Sequence, residues 1–215
     1  MKTEIVPAIN AQNFEEIKEK INLLKSLTHH FHLDVASKEA TNFETWNNSS
    51  ELKKIPIDIE IDIHLMIYLK PNDVYKWNNE NIKRFIIHPE FCFNLDAILK
   101  QIKRIKKEIY LSWSPNFEFE FIEKYLSHIN GVLILGVKPG KSGQKFLEST
   151  YERIEKFNRL KQSKALKLMI DGGINRENFL KIYHYKPNFI IIASSIYSSA
   201  NPIEAYNGFK NLLRQ

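Results

Sequence analysis

Three short stretches of this chain carry side chains able to hold a divalent metal ion or to move protons: His32-Leu33-Asp34, His64-Leu65-Met66 and Asp171-Gly172-Gly173. In an extended strand, side chains return to the same face every second residue, so His32 and Asp34 are two donors at strand spacing. His64 closes an alternating run that begins at Ile57. Two imidazoles and two carboxylates suit one divalent ion of the zinc, iron, manganese or cobalt kind, and affinity alone does not choose among these. Singly, each part is weak: a histidine near a strand end is usually structural, and an Asp before Gly-Gly is often a turn residue. The force lies in their coincidence. His29, His30, His88, His128 and His184 form no comparable set. His88 reads as a packing residue, or as a rim residue near the site.

A second kind of chemistry lies between Gly136 and Phe146. Gly140 and Gly143 permit a loop whose backbone N–H groups converge on an anion, and Lys138, Lys141 and Lys145 add positive charge, so phosphate is the natural ligand. A plain solvated turn would use the same residue types. Gly140-Lys141-Ser142 is similar to the end of a Walker P-loop, but Gly136 stands one residue too close for that spacing. Gly172-Gly173 and Ala193-Ser194 follow further strand-like runs, where small residues let backbone amides or a short helix start face a phosphate. Ser194-Ser195 would serve equally as a helix N-cap.

These stretches need a scaffold that brings strand ends together. Strand-like runs cover residues 4–9, 29–36, the segment ending at Met66, 83–88, 108–113, 131–137, 165–170 and 188–193. Helical spacing alternates with them at 13–24, 71–81, 94–106, 118–126, 148–161, 176–183 and 203–213. The sixth run is apolar throughout, as a strand buried on both faces should be. A polar stretch from Ser37 to Ser50 is longer than most strand-to-helix connections and is a candidate active-site loop. This alternation predicts one (β/α)₈ TIM barrel over residues 1–215, with the chemistry-bearing residues at the carboxyl ends of the strands. A doubly wound sheet is the alternative, but the first strand lacks the Gly-rich turn that such a sheet carries.

Composition bounds the function classes. The chain has 215 residues, with a formal charge of +6 and a sequence pI near 9.2, which favours anionic partners such as sugar phosphates. The lysines show no stripe interleaved with aromatics and no nucleic-acid motif appears, so no nucleic-acid partner is expected. One cysteine, Cys92, excludes an internal disulfide framework and reads as a small buried thiol in a reducing compartment. No apolar run approaches the roughly 20 residues that span a bilayer, and no signal-peptide pattern opens the chain. No membrane partner and a cytoplasmic location are expected.

The motifs taken together resemble the ribulose-phosphate 3-epimerase family, in order and nearly end to end. Val6 to Phe14 is similar to the family's opening Pro-Ser-Ile…Asp-Phe, His32-Leu33-Asp34-Val35 to its His-Val-Asp-Val, and His64-Leu65-Met66 to its His-Leu-Met. Pro139-Gly140…Gly143-Gln144…Phe146 resembles its phosphate loop, Asp171-Gly172-Gly173-Ile174 its Asp-Gly-Gly-Ile, and Ser194-Ser195-Ile196-Tyr197 its Ser-Ala-Ile-Phe. The resemblance implies a metal-dependent barrel and a homo-oligomer. It implies His32, Asp34, His64 and Asp171 as metal ligands, with Asp34 and Asp171 also the acid/base pair. It implies a substrate pocket of Ala8, Met66, Gly140, Lys141, Ser142, Gly143, Gly172, Gly173, Ala193 and Ser194 for a small phosphorylated sugar. The expected reaction interconverts ribulose 5-phosphate and xylulose 5-phosphate. Departures concentrate in the substrate shell: Ala8 replaces a serine, Ala36-Ser37-Lys38 a Met-Asp-Gly, Leu135 a methionine, Lys138 an asparagine, Ser142 a glycine and Ala193 another glycine. A hexulose 6-phosphate substrate, or a barrel that binds a phosphosugar without turning it over, are the competing readings.

Overall fold

Short β-branched and aromatic runs, each separated by a helix, give the chain two apolar faces per strand to bury. It closes the sheet on itself and wraps the outside in helices. The computed structural model, which describes residues 3–161 and 165–214, shows that arrangement. Strands β1 (Glu4–Ile9), β2 (His30–Ala36), β3 (Glu60–Met66), β4 (Ile82–Ile87), β5 (Glu108–Trp113), β6 (Gly131–Leu135), β7 (Lys167–Asp171) and β8 (Phe189–Ile192) run parallel in order, and β1 closes on β8. The helices between them are α1 (Phe14–Leu24), α2 (Lys38–Thr41), α3 (Asp73–Trp77), α4 (Leu95–Arg104), α5 (Phe119–Glu123), α6 (Ser149–Lys161), α7 (Arg176–His184), α8 (Ser194–Tyr197) and α9 (Pro202–Leu212).

Asparagine, abundant in the sequence, starts several of these helices. Asn13, Asn94, Asn175 and Asn201 each accept a backbone N–H of the first turn, a contribution of roughly 0.5–2 kcal/mol apiece. Helix α4 shows how a helix is then held: Leu95, Ile98, Leu99 and Ile102 recur on one face and are buried, each worth roughly 1.5–3 kcal/mol. One face of each strand, with Leu33, Ile63 and Phe85 among its residues, joins this outer layer. The opposite faces of β1 and β4–β8 fill the bore with a smaller apolar cluster that includes Val6, Ala8, Ile86, Tyr110, Leu133, Met169 and Ile191.

Strands β2 and β3 line the same bore with polar groups, which separate into two ends. At the amino-terminal end Arg84 holds Asp62 through Nη1 at 2.6 and 2.8 Å and Glu108 through Nε at 3.1 Å. His30 bridges Asp62 (2.8 Å) and Glu4 (2.8 Å), and Lys167 reaches Glu108 at 3.2 Å. The Arg84 guanidinium also lies 4.5 Å from the Phe189 ring centre.

Several boundaries differ from the sequence pattern. The alternating run from Ile57 becomes strand only at Glu60, and Ile57 is 73 % exposed. Residues 56–59 form a turn closed by Ile59 N–H on Pro56 O, and pairing starts where Glu60 N–H meets His29 O. Alternation cannot supply a ladder partner where the neighbouring strand has not begun. The helix expected over 71–81 is confined to Asp73–Trp77: Asn78 turns extended, and the Asn79 side chain accepts from Asn81 N–H instead. The helix expected over 118–126 holds only Phe119–Glu123, and the sixth strand ends at Leu135 rather than 137. Within the polar stretch after β2 lies α2, and a 3₁₀ turn, Ser49–Lys54, begins at its end. Among the described residues no helix is long and apolar enough to cross a membrane.

Candidate functional site

The carboxyl end of the bore gathers the residues that the sequence singled out. Outer-facing Leu33 and Val35 force His32 and Asp34 inward, Ile63 and Leu65 do the same for His64, and Ile170 for Asp171. Register brings Asp34 level with His64, and Leu135 level with Asp171. The four side chains are buried, and one donor atom from each lies within 4.8 Å of all the others. Asp34 Oδ1 is 3.1 Å from His64 Nδ1 and 3.3 Å from His32 Nε2, and those two nitrogens are themselves 3.1 Å apart. Asp171 Oδ2 completes the group at 3.7 Å from His64 Nδ1 and 3.9 Å from His32 Nε2.

This crowding has electrostatic consequences. Burial and the neighbouring Asp34 charge push the Asp171 carboxyl up to about 7. Burial also opposes ionisation of Asp34, yet the His32 and His64 rings set against it prevail and hold it well below the usual carboxylate range. Burial, with His32 and His88 close by, depresses His64 to about 4, so its ring is neutral at pH 7. Two carboxylates and two imidazole nitrogens converging without a lysine or arginine among them make a donor set that fits a divalent cation.

Above this floor the loops after β6, β7 and β8 close a cleft. Met66, Gly140, Lys141, Ser142, Gly143, Gly172, Gly173, Ala193 and Ser194 all line it together with Asp34, His64 and Asp171. Gly173 sits at φ +69°, and a Cβ there would fall 2.5 Å from Phe146 N, so the β6 and β7 loops touch through bare backbone. Gln144 pins the β6 loop by donating to Lys138 O and Lys141 O, both at 2.8 Å, and Ser195 Oγ ties β8 to Ile174 O at 2.6 Å. Ser195 therefore braces a loop, and neither it nor Ser194 caps α8, whose N-cap is Ala193.

Ala8 does not reach the cleft. Its methyl belongs to the apolar bore cluster, because the side chain ends at Cβ and β1 pairs it beside His32 rather than beside the loops. Lys145 faces an adjoining cleft with Asn175 and Lys181, whereas Lys138 and Lys141 line the first. Ala36 is also absent from the cleft: it is buried, and its N–H is taken by Thr45 Oγ1 at 2.8 Å. Leu135 does line it. Cys92 is a free, partly buried thiol that burial pushes up to about 12, unsuited to nucleophilic work. His88, read as a packing residue or a rim residue near the site, is buried, and its Nε2 lies 2.8 Å from His64 Nε2, so it packs against the four-residue group. Strand alternation through Arg84, Ile86 and His88 was the signal that could have placed it in the bore.

Comparison with known proteins agrees with this arrangement. Residues 4–197 match the model of the "Ribulose-phosphate 3 epimerase family". The chain is 27% identical over 215 residues to the ribulose-phosphate 3-epimerase of Buchnera aphidicola subsp. Baizongia pistaciae, covering 96% of this chain and 94% of that one. It is 24% identical over 217 residues to the chloroplastic ribulose-5-phosphate-3-epimerase of Arabidopsis thaliana, covering 97% and 77%. The crystal structure of KGPDC from Streptococcus mutans superposes with a TM-score of 0.75 over 100% of this chain and 98% of the other, at 11% identity, a likeness of fold.

Proposed function

The chain belongs to the ribulose-phosphate 3-epimerase family, and from that premise we propose that it interconverts D-ribulose 5-phosphate and D-xylulose 5-phosphate by proton transfer between two aspartates. The observation that carries this reading is the placing of Asp34 and Asp171, one strongly ionised and one raised to about 7, at the floor of one phosphate-sized cleft.

Inverting a carbon beside a ketone requires a base on one face and an acid on the other. Asp34 takes the C3 proton, and Asp171 delivers one to the opposite face of the flat enediolate. In the reverse direction their roles exchange. His32, Asp34, His64 and Asp171 would hold a divalent cation of the zinc, iron, manganese or cobalt kind, which would supply positive charge for the enediolate oxygens. Lys141, Ser142, Gly143, Gly173 and Ser194 grip the phosphate, which fixes the carbon that lies between the carboxylates. Met66 packs beside the sugar.

Proton NMR of ribulose 5-phosphate in D₂O, with metal-loaded protein, tests the reading. Loss of the C3 proton signal, abolished in Asp34→Asn and Asp171→Asn, is expected. Exchange on a hexulose 6-phosphate alone would reassign the substrate. No exchange on either would leave a barrel that binds without turnover.

A further inference from the structure

His88 ends the inner face of β4, its ring wholly buried between two others. It lies nearly parallel to His64 (12°, centres 5.0 Å apart) and to Phe91 (25°, 5.2 Å). Its Nε2 meets His64 Nε2 at 2.8 Å, and its Nδ1 lies 3.1 Å from Glu90 Oε1 and 3.1 Å from Ser114 Oγ. Ser114 Oγ donates in turn to the same Glu90 oxygen.

The direction of this chain follows from its outer end. An ionised carboxylate only accepts, so His88 donates to Glu90 from Nδ1. When the His88 ring carries only its Nδ1 proton, its Nε2 is an acceptor, and His64 then donates to it from Nε2. His64 Nδ1 is then a bare lone pair, and it is this atom that faces Asp34 Oδ1 at 3.1 Å, His32 Nε2 at 3.1 Å and Asp171 Oδ2 at 3.7 Å. With the opposite tautomer, Nδ1–H would close the position by donating to Asp34.

We propose that Glu90, acting through His88, is a positioning residue that fixes the tautomer and ring orientation of His64 so that its Nδ1 lone pair is presented to a cation. The inference rests on the reading of His32, Asp34, His64 and Asp171 as a cation site. A carboxylate behind a ligating histidine is a common device; here a second imidazole carries its effect one ring further, from outside the cleft.

The test uses the full chain and three variants, Glu90→Leu, His88→Phe and Glu90→Gln. Zinc affinity is read by competition with a chromophoric chelator, and the imidazole tautomers of the metal-free chain by ¹⁵N NMR. Wild-type His64 should be protonated at Nε2. Glu90→Leu and His88→Phe should weaken zinc binding about 10–100-fold and move the His64 proton toward Nδ1. Glu90→Gln keeps an acceptor oxygen and should restore most of both, and it keeps the test alive should the leucine variant not fold. Wild-type affinity and an unchanged His64 tautomer in the variants would overturn the proposal. If the wild-type chain takes up no zinc, the cation reading fails by itself, and the tautomer shift in metal-free protein alone decides the role of Glu90.

Discussion

Both ends of the bore bury carboxylates, yet they compensate them differently. At the amino-terminal end Glu4, Asp62 and Glu108 are matched by His30, which is raised to about 9, Arg84 and Lys167, three acids against three cations in direct contact. At the carboxyl end Asp34 and Asp171 face only imidazoles, and Asp171 is left to keep its proton near neutrality. A buried charge is tolerated when a partner is built in, and a buried group without one stays available for chemistry. The lower cluster completes the fold, whereas the upper one awaits a ligand.

That contrast predicts opposite signatures for substitution. The largest effect is expected for Asp34→Asn and Asp171→Asn: a loss of about a thousand-fold or more in turnover, roughly 4 kcal/mol of transition-state stabilisation, with unfolding in denaturant little changed. At the other end Arg84→Met should leave turnover per folded molecule intact but cost roughly 3–5 kcal/mol of stability, since Asp62 is left buried without its guanidinium. Asp62→Leu in the same chain should recover most of that loss. If Arg84→Met lowered turnover and left stability alone, the division between the two ends would collapse.

Addition of a divalent cation sharpens the comparison next. At one hundred times its dissociation constant the cation should add about 2.7 kcal/mol, or roughly 5–10 °C in melting temperature. That increment should vanish in His32→Ala and survive in Arg84→Met; calorimetry with and without chelator reads both. The smallest effect lies at the rim. Lys141→Ala should raise KM about five-fold, roughly 1 kcal/mol, whereas Lys145→Ala, which faces the neighbouring cleft, should change it less than about two-fold. Equal changes would show that the two lysines act only through overall charge.

Much of the site was legible because strands have a period of two. Leu33, Val35, Ile63 and Leu65 mark the outer face in the sequence, which puts His32, Asp34 and His64 inside before any coordinates are known. The same rule applied to Arg84 and His88 would have placed both in the bore, but arginine there reads as surface until Asp62 and Glu108 are seen to surround it. Asparagine caps were equally readable at Asn13 and less so at Asn175, whose partner Asn178 is an uncommon second half of a capping box.

By itself, then, the sequence determined the order of strands and helices, the face on which each chemical group stands, and the set of two histidines and two aspartates, because periodicity and residue type are local properties. Only the tertiary structure decided that Ala8 stops short of the cleft, that Lys145 turns to the next one, and that His88 and Glu90 back His64. Those facts depend on distances between residues far apart in the chain, and such distances are set by the register and closure of the whole barrel.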